Sequence, residues 1–430
     1  MHELAEAVVD IGGIAAGGAG VGRLPDGRAV FVHRTAPGDR ARVAVVEHKR
    51  RWARAELRKL LRPGPDRRPA PCPHYDRCGG CTIEHITYTA QLGIKATIVA
   101  EALRRIGGLD VPEPEVVPSP HEFRYRNRVS FTLLRLGAGR VVAGFHELNR
   151  PGRIVDITDA CLLPEPAVAD AWGALRRAWG PDAYRLPSGR QLRLTLRGAA
   201  AGEVTLLVDG GYAPGRPDEL LSRVPALAAI WHRAAGAGDW TLLAGSAAVV
   251  EQWADEDVAL SGVAFLQVNR AAAAALEEHV MALARTTAGP GVRVIDAYCG
   301  VGLHARRLAR EGAAVVGIEL DPDAVREARR AAPPGTEFLE GRVEDLLPAA
   351  LPADLVILNP PRRGLHAAVP EALAARPPAR LIYVSCDPAT LARDLARLQP
   401  TFRLRGLRCF DLFPQTTHVE TVAELECATS

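Results

Sequence analysis

From about residue 290 onward, short apolar runs recur, and each is closed by Gly, Asp, Pro or Cys. VRVIDAYC, AVVGIEL, ADLVILNP and RLIYVSC alternate with segments rich in Ala, Arg and Leu. Runs this short and this uniformly apolar suit strands buried on both faces, and the intervening segments suit covering helices. The pattern predicts a mostly parallel, Rossmann-like sheet over residues 261–430. Ligands of such sheets bind beyond the carboxyl ends of the strands, where the punctuating residues fall.

The first of these runs ends Asp296-Ala297-Tyr298-Cys299-Gly300-Val301-Gly302. Gly300 and Gly302 let the backbone turn tightly and approach a ligand. The second run ends at Glu319, 23 residues after Asp296, where a carboxylate can accept hydrogen bonds from both hydroxyls of a ribose. The all-glycine dinucleotide form G-x-G-x-x-G is absent, which favours S-adenosylmethionine over a nicotinamide dinucleotide. Taken alone, the segment Phe265-Leu266-Gln267-Val268-Asn269 reads as a loop and helix cap.

Asn359-Pro360-Pro361-Arg362 follows a third run, and Ser385-Cys386-Asp387-Pro388 a fourth, so Cys386 falls on the ligand edge. Phe413-Pro414-Gln415-Thr416-Thr417-His418-Val419-Glu420 precedes a last strand. A thiol with a carboxylate suits methylation of uracil carbon 5. That atom becomes nucleophilic only after a thiolate adds to carbon 6, and a base must later remove its hydrogen. Cys386 is the candidate nucleophile and Glu420 the candidate base; the target base must be flipped out or unpaired to reach them.

The rest of the chain divides by composition. Residues 1–61 show short alternating strands and Gly-rich turns, as in an OB-like β-barrel that binds RNA. Residues 1–70 hold 14 Lys/Arg against 8 Asp/Glu, and the remaining 360 residues sum to −3. A basic end on a near-neutral body fits a nucleic-acid partner, although charge runs also simply solvate surfaces. Prolines 63, 65, 69, 71 and 73 mark a linker into an α+β central region, 62–260, with a helix near 88–107. There Cys72, Cys78 and Cys81, with Gly79 and Gly80 between the last two, place three thiols in one loop. Three thiols are one short of a closed four-ligand site. No apolar run reaches the length of a membrane span and no charged-plus-apolar leader is visible, so a cytoplasmic location is expected. Cysteines there serve as thiols, metal ligands or catalytic groups rather than disulfides.

DAYCGVG, GIELD, NPPRRGL, YVSCDP and FPQTTHVE, in this order and spacing, resemble the RNA uracil-5-methyltransferase family. The resemblance extends to a TRAM-type barrel and to the cysteine loop. It implies a class I S-adenosylmethionine-dependent enzyme with Gln267, Tyr298, Glu319 and Asn359 at the cofactor, Cys386 as nucleophile and Glu420 as proton acceptor. It supplies Cys161 as the fourth ligand and favours a [4Fe–4S] cluster, with zinc the alternative. It also leans toward 23S ribosomal RNA over transfer RNA as substrate; a monomer is expected. The family usually has Asp at the Asn359 position and a polar residue at the Leu303 position. Asn359-Pro360-Pro361 also resembles the loop of enzymes that methylate exocyclic amines such as adenine N6, which need no cysteine. A non-catalytic RNA-binding protein is a further alternative.

Overall fold

The computed structural model describes residues 5–428, except 254, 255 and 265. Two compact units account for the chain. One comprises Met1–Arg62, Tyr88–Pro120 and Ala271–Ser430; the other comprises Pro63–Thr87 and His121–Arg270. This departs from the three consecutive stretches expected. Residues 88–120 leave the central stretch because Glu115–Val117 joins the C-terminal sheet, pairing in parallel with Phe402–Phe410. Val99 and Leu103 are fully buried in the same core as Leu391, Leu395 and Leu398.

In the first unit, five strands between Glu6 and Arg62 close a barrel. Alternate residues point inward, and Val9, Ile11, Val30, Val32, Val43 and Ala53 form its core. The Gly-rich stretch 12–23 forms a hairpin, with Glu6–Ile14 antiparallel to Gly20–Arg23.

The C-terminal sheet has eight strands. Their order is Thr336–Glu340, Ala314–Glu319, Arg293–Ala297, Leu355–Leu358, Arg380–Ser385, Glu420–Cys427, Phe402–Phe410 and Glu115–Val117. The first five are parallel, and Glu420–Cys427 runs antiparallel to both its neighbours. Leu355–Leu358 is buried at every residue, as both covered faces require. Strand order reverses between Arg293–Ala297 and Leu355–Leu358, which is where such a fold opens its ligand crevice.

The second unit is built on a seven-stranded sheet, antiparallel except where Val204–Asp209 meets Leu227–Arg233. The helix Pro166–Ala178 covers one face, with Trp172 packed 4.3 Å, centroid to centroid, from Phe131. Among the described residues no helix is long and apolar enough to cross a membrane.

Candidate active site

Strand ends deliver the cofactor candidates. Tyr298 follows Arg293–Ala297 with φ +63°, held by its amide donating to Ile318 O at 2.8 Å. Gly300 and Gly302 continue in the left-handed region, φ +56° and +74°. A Cβ on Gly302 would lie 2.5 Å from the Phe338 ring, so only glycine fits that turn. Glu319 ends the neighbouring strand. One of its oxygens accepts from the amides of Leu320 (2.7 Å) and Asp321 (2.9 Å), the other from Gly300 N (3.0 Å). The carboxylate is thus fixed against the glycine turn, with three of its roughly four lone-pair positions used by backbone. Asn359 closes Leu355–Leu358 with an exposed side chain, its amide donating to Ala297 O at 3.2 Å.

Beneath the turn lies a buried group that the sequence reading did not single out. Asp296 is fully buried and accepts from Ala305 N at 3.1 Å; burial pushes its carboxyl up to about 6. His304 stands between Asp296 (4.0 Å) and Glu277 (3.0 Å). Burial opposes its cation, but Glu277 and Asp296 together outweigh burial and raise it to about 9. The only sequence signal was a histidine one residue into the helix after the glycines.

Sheet register brings the catalytic candidates together. Ser385 pairs with Thr421, so Cys386, the next residue, emerges opposite Glu420 at the start of the antiparallel strand. Cys386 is half-buried; burial and the Glu420 carboxylate push its thiol up, while Arg362 counters them. Glu420 is 4% exposed, and burial raises its carboxyl to about 7, again against Arg362. Cys386 also immediately precedes Asp387, the cap of helix Pro388–Leu398, whose side chain accepts from Thr390 N at 2.8 Å. A helix N-terminus favours a thiolate. Arg362 is therefore a further charge at the site. Its loop is clamped to that helix: Thr390 Oγ1 donates to Arg362 O (3.0 Å), and Leu365 N donates to buried Asp394 (2.8 Å).

Gln267 falls in the other compact unit, where its carbonyl accepts from Asn127 Nδ2 at 2.9 Å; Phe265 lies outside the described residues. In that unit Cys72, Cys78, Cys81 and Cys161 line one cavity, with Tyr75 and Phe145 among its walls. Cys78, Cys81 and Cys161 are buried, and burial lifts the thiols of Cys81 and Cys161, the latter to about 12. Among the described residues no three His, Cys, Asp or Glu side chains are grouped tightly enough to hold a single metal ion.

A parallel sheet with a glycine turn at its switch point and a carboxylate ending the neighbouring strand, in one unit with a small closed barrel, fits a class I S-adenosylmethionine-dependent RNA methyltransferase. Residues 6–57 match the TRAM domain, 295–360 a methyltransferase domain, and 338–427 the tRNA (Uracil-5-)-methyltransferase family. An uncharacterized RNA methyltransferase of Gloeobacter violaceus is 36% identical over 97% of this chain and 96% of its own. Another, from Thermosynechococcus vestitus, is 36% identical over 95% of each chain. The crystal structure of Pyrococcus abyssi tRNA (uracil-54, C5)-methyltransferase with S-adenosyl-L-homocysteine superposes with a TM-score of 0.76. It is 28% identical and covers 97% of this chain and 100% of that one. The chain belongs to the RNA uracil-5-methyltransferase family.

Proposed function

We propose that the protein methylates carbon 5 of a uridine in RNA through a covalent adduct with Cys386. The observation that carries this is the placement of the Cys386 thiol against the buried Glu420 carboxyl at the ligand edge of the sheet. S-adenosylmethionine, when bound, supplies the methyl group; Tyr298, Gly300, Gly302, Glu319 and Asn359 are its candidate contacts. The Cys386 thiolate adds to carbon 6 of the flipped base, and the electron pair moves to carbon 5 as an enolate. Carbon 5 takes the methyl group. Glu420 then accepts the carbon 5 proton, the 5,6 double bond re-forms and the thiolate leaves. Arg362 faces both groups and offsets their negative charge. A methyl transfer to an exocyclic amine would leave both Cys386 and Glu420 without a task.

The four cysteines are suited to a [4Fe–4S] cluster. They converge on one cavity from a loop and from Cys161, and four thiols gathered there can supply four thiolate ligands once a cationic cluster displaces their protons. Zinc is the alternative four-thiolate occupant. The cluster would brace the second unit. The substrate is RNA of the cytoplasm, with the barrel as one contact; 23S ribosomal RNA and transfer RNA are the two classes to compare, the Pyrococcus abyssi enzyme being a transfer RNA enzyme.

Substitution separates the roles. Cys386→Ala should abolish both methylation and the covalent trapping of 5-fluorouridine RNA. Glu420→Gln should still attack and transfer methyl, then accumulate a methylated protein–RNA band on ordinary RNA in a denaturing gel. An active Cys386→Ala enzyme would refute the mechanism.

A further inference from the structure

We propose that Gln91 and Lys95, on the helix Tyr88–Ala102, are positioning residues that hold Glu420 where it can take the carbon 5 proton. The inference rests on the uracil-5 reading above. Glu420 is reached through the loop 411–419, which joins the antiparallel strands Phe402–Phe410 and Glu420–Cys427. Loops of this length ordinarily have freedom at the tip. Here the loop's shape is set from outside by one helical face, since Tyr88, Gln91 and Lys95 recur at spacings of three and four.

The contacts are specific and buried. Lys95 and Asp411 form an ion pair with both side chains wholly shielded from solvent. Lys95 Nζ also donates to Phe413 O at 3.1 Å. The Asp411 carboxylate accepts from Tyr88 OH (3.0 Å) and from Phe413 N (3.1 Å). Two residues on, Gln415 adopts φ +69°, a conformation a non-glycine residue takes only when its surroundings fix it. Gln91 does so with a reciprocal amide pair: Nε2 donates to Gln415 Oε1 at 2.9 Å, and Gln415 N donates to Gln91 Oε1 at 3.0 Å. Gly17 N, at the barrel hairpin tip, then donates to Thr417 Oγ1 at 2.9 Å. Glu420 follows three residues later.

A buried ion pair is a poor device for stability alone, because desolvation offsets most of its attraction; what a fully bonded one provides is a unique geometry. Proton removal needs that geometry. The base must reach one hydrogen of the methylated adduct, and a displacement of about 1 Å can cost on the order of 100-fold. The earlier steps, addition of Cys386 and methyl transfer, need no base at the carbon 5 hydrogen, and Glu420 reaches them only through its charge beside the thiol.

Gln91→Ala leaves the ion pair intact and is the informative variant; Lys95→Met is a second. The full-length protein is assayed with a uridine-containing RNA and with its 5-fluorouridine counterpart, whose adduct cannot lose fluorine and so reports attack and methyl transfer. S-adenosylhomocysteine affinity is measured alongside. Gln91→Ala should trap the fluorinated RNA and bind S-adenosylhomocysteine within about 2-fold of wild type. Its adduct on ordinary RNA should break down about 10- to 100-fold more slowly. Breakdown at the wild-type rate, or trapping slowed as much as breakdown, overturns the positioning role. If the wild-type protein itself traps no fluorinated RNA, the uracil-5 reading falls first and the inference with it.

Discussion

Among the catalytic candidates, Glu420 shows how its surroundings alter a residue's chemistry. An ordinary glutamate ionises near 4.5, whereas burial raises this one to about 7. Because the folded-state value is raised, the folded protein holds a proton that the unfolded chain has released between those values. The contribution of Glu420 to stability is therefore largest below about pH 4.5 and declines as pH rises toward 7. Function runs the other way, since a base must be ionised to accept a proton. For adduct formed at pH 8 and then shifted, breakdown at pH 6 should be about 10-fold slower, because only about a tenth of the carboxyl is ionised one unit below its midpoint. Quenched samples resolved on denaturing gels give the rate. A pH-independent rate would assign the proton to another base.

At the scale of elements, the loop carrying Cys72, Cys78 and Cys81 and the turn carrying Cys161 meet only because the intervening strands fold back. Cys78 bridges to Glu147 in the strand Arg140–Glu147, and Ile157 N donates to Ala143 O beside the turn. Gly79 permits this, since a Cβ there would lie 3.0 Å from His146 O. Anaerobically purified protein should carry about four irons and an equal number of sulfides per chain. Cys161→Ser should lose most of the metal and lower the melting temperature of the protein. Elemental analysis decides it: one zinc and no iron would replace the cluster with a mononuclear site.

For the molecule as a whole, RNA binding is an electrostatic quantity. The segment 40–68 holds eleven Lys/Arg against Glu47, Glu56 and Asp66. Arg50, Arg51 and Arg54 are exposed on the barrel, and Arg54 lies 6.0 Å from the Trp52 ring centroid. Each phosphate contact to single-stranded RNA contributes about 0.7 to the logarithmic salt slope. Replacing all three arginines by alanine should weaken RNA binding and reduce that slope by about 2, while S-adenosylhomocysteine affinity stays unchanged. Titrations at several salt concentrations test this; an unaltered slope would remove the barrel from the RNA interface.

Periodicity and punctuation were enough to foresee the parallel sheet, the glycine turn and Glu319, because strand burial and left-handed turns impose local residue choices that a single chain displays. The barrel and the helix Tyr88–Ala102 were legible for the same reason. Lys95 stood out in the sequence only as one of three lysines, and nothing local tied Gln91 to Gln415, which lies 324 residues away. Likewise His304 gained its meaning from Glu277 on another helix, and Arg362 from the two groups it faces. The division of the chain was equally hidden: three residues, Glu115–Val117, cross to the far sheet because Phe402–Phe410 offers an unpaired edge there. Local sequence determined which elements form and which residues punctuate them. The tertiary structure alone decided which charges share a buried site, since pairing energies in a low dielectric depend on distance in space and not along the chain.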